Sequence, residues 1–454
     1  MEIIKKKNVL VVGLGKSGLA VARWLFAAGA KVTINDVKEE VDISQELIRG
    51  IRELGLKLVA GGHRKDCFLD SDLIVVSPGI PLDMTPLMAA REAGIPVIGE
   101  LELASRFISS PVIAVTGTNG KSTSVSLLGE IIRSEGRKPF VGGNIGTPFM
   151  EYVSGAQEAD YIVLEVSSFQ LDSIEQFRPS VALLLNISPD HLDRYPDYEA
   201  YIQSKLGIFR NQGAGDFAIL NDDDQRLACF HPESDVSVLR YGIEERSSRN
   251  SFIRGSKLFV CLPGADARWF NIERFRPPGL HNLENLMGVV LAAMAIGISP
   301  DAIQDTINRF KGLSHRMEHV GTRKGVDFFN DSKATNVDSA LRSFSGFHRP
   351  VVLIAGGRHK GGDYSPLVNA SKGKIKTAVL LGEAKELMAQ AFEGVIPFVL
   401  CESMEDAVSQ AYLLADPGDV VLLAPACSSF DLFSDYEHRG RVFSDAVARL
   451  DNDS

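Results

Sequence analysis

Val112-Ile113-Ala114-Val115-Thr116-Gly117-Thr118-Asn119-Gly120-Lys121-Ser122-Thr123 is the stretch on which the fold turns. A short apolar, β-branched run meets a glycine-containing turn, and Lys-Ser-Thr then opens an amphipathic segment. That order reads as strand, tight loop, helix. In such a loop the backbone N–H groups of Gly117, Thr118, Asn119 and Gly120 converge on phosphate at a helix N-terminus. Lys121 would meet the β/γ oxygens, and Ser122, followed by Thr123, could ligate Mg²⁺. The general pattern has glycine where Val115 stands, so this ring is a shortened variant with Thr116-Gly117 making the turn. The bland alternative is a glycine turn beside a solvated lysine. Strand, turn, GKST and helix agree better with an ATP site.

Outward from this loop the same alternation recurs. Apolar runs at Asn8–Val12, Lys31–Ile34, Leu73–Ser77, Tyr161–Val166, Val181–Asn186, Val351–Ala355, Thr377–Leu381 and Val420–Ala424 are separated by longer amphipathic stretches. Strands this apolar, with helical segments between them, indicate an α/β protein of buried, mostly parallel sheets. Three blocks separate: residues 1–99, opening with GLGKSGLA; residues 100–312, opening with the helix-like Glu100–Ile108; and residues 313–454, with a βα alternation of its own. Each has the size of one domain. The polar stretch Arg246–Arg254 reads as a surface hairpin or loop.

Composition agrees. A chain of 454 residues exceeds the ~250–300 at which single cores stop growing, so several domains are expected. A net charge of −10 argues against nucleic acid or an anionic membrane as the main partner. The cysteines are five, widely spaced and without a CxxC pair, which suggests neither a disulfide framework nor a zinc site. The lysines before the apolar run at the start faintly mimic a signal peptide, but that run ends in Gly13-Leu14-Gly15 as a strand entering a turn. No stretch reaches the ~18–20 apolar residues of a membrane span. A cytoplasmic protein is expected.

Other constellations are less specific alone. Gly13-Leu14-Gly15-Lys16-Ser17-Gly18 follows a strand, with Asp36 closing the next. It fits a nicotinamide or flavin dinucleotide, another nucleotide, or a purely structural turn. Glu165 ends the run Tyr161–Val166, where a carboxylate beside a phosphate loop could hold Mg²⁺ or simply satisfy a strand end. His191, in Asn186-Ile187-Ser188-Pro189-Asp190-His191-Leu192-Asp193, is more often a loop hydrogen-bonder than a ligand. Lys205 alone reads as a solvated helix lysine. Cys427 has no evident partner histidine and reads as a small buried thiol.

Taken in order, TGTNGKST, Glu165, His191 and Lys205, together with GGNIG (Gly142–Gly146), SSFQL, DHLDRY, HRME, NDSKATN and PACSSFD, resemble the Mur ligase family, and within it the branch that adds D-glutamate. The resemblance covers essentially the whole chain. It implies an N-terminal Rossmann-like domain, a central P-loop ATPase-like domain and a C-terminal Rossmann-like domain that receives the amino acid. The substrates it implies are UDP-N-acetylmuramoyl-L-alanine and D-glutamate, and a monomer is expected.

The same resemblance assigns residues. Gly15, Lys16, Ser17, Asp36, Ser77 and Gly79 would hold the UDP moiety, and Asn144 the muramoyl-alanine part. Asn282, Asn285 and Asp331 would meet the base and ribose of ATP, with Arg316 near the γ-phosphate. One Mg²⁺ would sit between Ser122, Glu165 and the phosphates. A second would be shared by His191 and Lys205, the lysine carrying a carbamate formed with CO₂. Lys333, Thr335, Lys360, Ser429 and Tyr436 would enclose D-glutamate. Arg358 departs from the family pattern, where an acidic residue commonly precedes the basic one by two. The implied chemistry is phosphorylation of a carboxylate by ATP, then attack of the D-glutamate amine on the acyl phosphate.

Overall fold

The protein is described by a computed structural model covering residues 4–450 apart from 156, 157, 193, 278, 360 and 362. Among the described residues three separate sheets form. The first has five parallel strands in the order Lys57–Val59, Lys31–Asn35, Asn8–Val12, Leu73–Val76, Val97–Gly99. The second has nine strands, ordered Arg268–Asn271, Lys257–Val260, Ser251–Arg254, Ser237–Tyr241, Phe217–Asn221, Val181–Leu184, Val112–Thr116, Tyr161–Glu165, Pro139–Gly143. The third has six, ordered Glu318–Arg323, Val326–Asn330, Val420–Leu423, Val351–Gly356, Ile375–Leu381, Phe398–Leu400. Parallel pairing dominates. The exceptions are the meander at Ser251–Asn271 and the hairpin joining the third sheet's first two strands.

The central strands are apolar along their whole length because helices cover both faces. Val112–Thr116 and Val181–Leu184 are buried throughout. The helix Lys121–Ser134 rises directly from the phosphate loop and packs Val125, Leu128, Ile131 and Ile132 onto one face. Its start requires glycine. Gly120 has φ +90°, and a Cβ there would stand 2.4 Å from Asn285 Oδ1.

The domains meet in two different ways. The N-terminal and central domains share one apolar core, in which Ala20, Leu25, Leu101 and Phe149 are buried with the central strands. Trp24 and Phe107 pack across the boundary, their rings tilted and their centroids 4.5 Å apart. The third domain has its own two cores and meets the central domain mostly through polar side chains around the phosphate loop. Polar seams of this kind open more easily than a shared apolar core.

One expectation is corrected. The stretch Arg246–Arg254 is more than a surface hairpin: its end forms the strand Ser251–Arg254, and Arg249 is buried. Burial of that guanidinium is possible because it pairs with Asp222 at 3.2 Å and Asp223 at 2.5 Å. Cys427 is buried, as expected, with the Tyr364 hydroxyl 3.0 Å from its sulfur. No helix among the described residues is long and apolar enough to cross a membrane.

Candidate active site

A cleft between the central and third domains is lined by Thr118–Thr123, Asn144, Glu165, His191, Asn282, Asn285, Arg316, Asp331, Lys333 and Thr335, among others. Its floor is the phosphate loop, held open from beneath. Thr118 N–H donates to Asn186 O, and Asn119 N–H to Asn186 Oδ1, both at 2.9 Å. The Thr118 hydroxyl lies 3.0 Å from Tyr201 Oη and accepts from Ser188 N–H at 3.0 Å. Lys121 curls back to donate to Gly117 O at 2.7 Å and Thr118 O at 2.9 Å. Crowding by protein atoms pushes its ammonium below the ordinary lysine range, against the pull of Glu165 and Asp190.

Glu165, at the end of its strand and 2% exposed, organises the adjoining wall. Its carboxylate accepts from Ser122 Oγ–H at 2.6 Å and from Asn144 Nδ2–H at 2.9 Å. Arg316 reaches across from the third domain and donates to Ser122 Oγ at 2.6 Å. A hydroxyl and a carboxylate gathered in this way are hard donors suited to Mg²⁺. Among the described residues no group of three or more His, Cys, Asp or Glu could hold a metal ion. A cation at this wall would therefore complete its shell with oxygens from ligands, as nucleotide-bound Mg²⁺ does.

Lys205 is the least expected member. It is 2% exposed, donates to Gly117 O at 2.9 Å, and lies 4.8 Å over the Tyr201 ring. Burial lowers its pKa well below the lysine norm, and the charge of Lys121 lowers it further. The sequence reading of a solvated lysine fails because the helix Tyr198–Leu206 turns this face inward, beneath the phosphate loop. His191 stands nearby with φ 55°, its ring edge-on to Phe169 at 4.8 Å. A non-glycine residue held there suggests a side chain whose direction matters.

The opposite wall comes from the third domain and the helix Leu280–Ala295. Asn282 and Asn285 face the cleft from that helix. Asp331 is buried, which raises its pKa to about 6, and it accepts from Ser343 Oγ–H at 2.5 Å. The Lys333 ammonium sits 3.6 Å from the centre of the Tyr436 ring. Burial, aided by Arg316, lowers it to about 8. Ser429 is buried and is not among the residues lining the cleft. Lys360 and Asp193 lie outside the described residues. Arg358 pairs with Glu383 at 3.1 Å.

In the N-terminal domain, Gly15 precedes the helix Lys16–Ala27 without a side-chain cap, which leaves the first N–H groups, including that of Ser17, for a ligand. Asp36 is already engaged, accepting from Leu14 N–H at 2.6 Å and Lys38 N–H at 2.9 Å. Ser77 donates to Gly13 O at 3.1 Å, and Gly79 O accepts from Arg194 at 2.8 Å. In this state Asp36 and Ser77 shape the turn. Four further cleft residues, His281, Ser339, Arg342 and Ser343, had no role in the sequence reading. Asn336 caps the helix Val337–Ser345, and nothing local in the sequence says which surface that helix start meets.

The chain matches known proteins along nearly its whole length. The Mur ligase MurD-like N-terminal domain matches residues 7–99, the Mur ligase middle domain residues 115–293, and the Mur ligase glutamate ligase domain residues 315–427. The chain is 43% identical over 452 residues to the UDP-N-acetylmuramoylalanine–D-glutamate ligase of Geotalea uraniireducens, spanning 100% of this chain and 99% of that one. It is 44% identical over 447 residues to the ligase of the same name from Koribacter versatilis, spanning 98% of each. Among solved structures, the fold is like that of the MurF ligase of Thermotoga maritima in complex with ADP, with TM-score 0.61, 16% identity and coverage of 99% of this chain and 97% of that one. It is also like the UDP-N-acetylmuramate-alanine ligase of the same organism, with TM-score 0.59, 18% identity and coverage of 99% and 100%. A phosphate loop facing an Arg- and Lys-bearing third domain, on three family domains in this order, leaves one assignment: the chain belongs to the Mur ligase family, among the UDP-N-acetylmuramoylalanine–D-glutamate ligases.

Proposed function

We propose that the protein joins the amine of D-glutamate to the alanyl carboxylate of UDP-N-acetylmuramoyl-L-alanine at the expense of ATP, as a cytoplasmic step of peptidoglycan synthesis. The observation that carries this reading is the placing of Arg316 and Lys333, from the domain matched as glutamate-ligating, opposite the phosphate loop and Glu165. A carboxylate is a poor electrophile. One of its oxygens attacks the γ-phosphorus while the bond to the β-phosphate oxygen breaks, releasing ADP and leaving an acyl phosphate. The amine then attacks the acyl carbon, and inorganic phosphate departs from the tetrahedral adduct.

In this reading the loop N–H groups and Lys121 hold the β/γ-phosphates, and Arg316 lies beside the transferred group. Asn282, Asn285 and Asp331 position base and ribose. Asn144 holds the muramoyl-alanine arm, whose UDP end lies at Gly15, Lys16, Ser17, Asp36, Ser77 and Gly79. Lys333 and Thr335 meet D-glutamate from the cleft wall, with Lys360, Ser429 and Tyr436 assigned to the same amino acid by the family resemblance alone. Ser122 and Glu165 fit one Mg²⁺ together with phosphate oxygens, and His191 with a carbamate on Lys205 fits a second. When bound, the two cations supply charge neutralisation at the transferring phosphoryl group.

Phosphate release with UDP-N-acetylmuramoyl-L-alanine, ATP and Mg²⁺ tests the reading, comparing D-glutamate, L-glutamate, L-alanine, L-lysine and meso-diaminopimelate. Turnover is expected with D-glutamate alone. A neutral acceptor leaves a buried cation unpaired, which costs roughly 1–3 kcal/mol. Preferred use of another acceptor would remove this substrate assignment.

The pH profile gives a second check. With Lys333 lowered to about 8, its ammonium is present below that pH and lost above it. kcat/KM for D-glutamate, which reports the free enzyme, should therefore fall as pH rises through about 8. Lys333→Arg keeps its charge and should move that alkaline limb upward. An unmoved limb would assign it to another group.

A further inference from the structure

The seam between the central and third domains holds a carboxylate that none of these steps uses. Asp338 lies in the first turn of the helix Val337–Ser345, which is capped by Asn336 Oδ1 accepting from Ser339 N–H at 2.7 Å. Its Oδ2 accepts three hydrogen bonds: from Asn119 Nδ2–H at 2.7 Å, Ser188 Oγ–H at 2.9 Å and Arg342 Nε–H at 2.9 Å. Arg342 is on the same helix and lies 3.8 Å from Glu284. The other two donors belong to the central domain, one in the phosphate loop and one in the loop after Val181–Leu184.

An acid in a helix's first turn with a basic residue four places on is ordinary helix stabilisation. That accounts for one donor of the three. The neighbours of Asp338 make the same crossing. Ser339 Oγ–H donates to Asn119 Oδ1 at 2.5 Å, and Asn336 Nδ2–H donates to Asp190 Oδ2 at 3.1 Å. The Asn119 side chain is therefore held at both ends by consecutive residues of the third domain, while its backbone N–H is held by Asn186. Ser188 in turn touches the loop from below, its N–H donating to Thr118 Oγ1.

We propose that Asp338 is a positioning residue for phosphoryl transfer, the pivot through which closure of the third domain fixes the phosphate loop. The proposal rests on the ligase reading. Among the described residues no apolar core joins these two domains as one joins the first two. The closed arrangement therefore depends on directional polar contacts, and two of them end on one oxygen. When the third domain swings away, Asn119 and Ser188 lose that acceptor together, and both are bonded directly to the loop that receives the nucleotide. Closure and loop order are then one event.

Asp338→Asn keeps the shape and removes the charge that three donors share. It is expected to lower kcat about tenfold, the scale of losing charge-assisted hydrogen bonds, and to raise KM for ATP, with KM for the UDP-sugar nucleotide unchanged and Tm near wild type. Combined with Ser188→Ala, the losses should be less than additive, since both act through one bond. Independently of turnover, fluorophores on exposed positions of the central and third domains should report a lower ATP-induced closed population in Asp338→Asn. A lowered Tm with kcat, KM and closure unmoved would reduce Asp338 to helix stabilisation and overturn the proposal, as would strict additivity with Ser188→Ala. If wild-type protein released no phosphate with D-glutamate, the ligase reading would fall, while the fluorescence comparison would still decide the latch.

Discussion

Lys205→Ala should lower kcat by ~10³ or more, the scale of losing a group that supports metal-assisted phosphoryl transfer. In sequence this residue is an unremarked lysine on a helix. In the fold it is buried, with Nζ on Gly117 O at 2.9 Å and the Tyr201 ring 4.8 Å away. Burial disfavours the ammonium and shifts the residue toward the neutral amine. A neutral amine is the form that can attack CO₂, giving a carbamate and releasing a proton. The product is an anionic, two-oxygen group placed under the phosphate loop. If the missing function in Lys205→Ala is that carboxylate-like group, formate or acetate should restore part of the rate and methylamine none of it. Rescue by the amine alone would show that Lys205 acts as a cation. An intact mass of the active, metal-loaded enzyme without the added 44 Da of CO₂ would count equally against it.

Glu165→Gln should lower kcat by ~10²–10⁴, in the range of deleting one charge-stabilising group at a transition state. The substitution preserves volume and one acceptor oxygen, so the hydrogen bond from Ser122 or from Asn144 can persist. What disappears is the negative charge, which an oxygen-preferring dication requires. ATP affinity should fall less than turnover, because in the proposed reading loop N–H groups and Lys121 would hold the phosphates independently of Glu165. Titrating Mg²⁺ in single-turnover reactions separates the two effects. A near-normal kcat at saturating Mg²⁺ would sink the metal role of Glu165.

The two variants flank one phosphate loop, and they differ in how visible each residue was. Glu165 could be suspected from its position at the end of a strand, since side chains there project over the phosphate loop of a neighbouring parallel strand. Lys205 could be suspected only through likeness to a family. Its contact with Gly117 spans 88 residues, and the Arg316–Ser122 bond spans 194. Asn119 and Asp338 are separated by 219.

Those separations mark the division. Strand, turn and helix at Val112–Ser134, the sheet class and the three-domain partition follow from hydrophobic period and glycine placement, both of which act over a few neighbouring positions. They are legible in the chain by itself, and Gly117, Gly120, Lys121 and Ser122 were accordingly placed correctly as a loop entering a helix. Whether Lys205 is solvated or buried, which backbone N–H groups the Asp36 carboxylate bonds, and which surface the helix start at Asn336 grips were decided only by tertiary structure. The reason is physical: a side chain's pKa and its partners depend on what packs over it. In this protein the covering group often comes from another domain, brought there by contacts that no local pattern encodes.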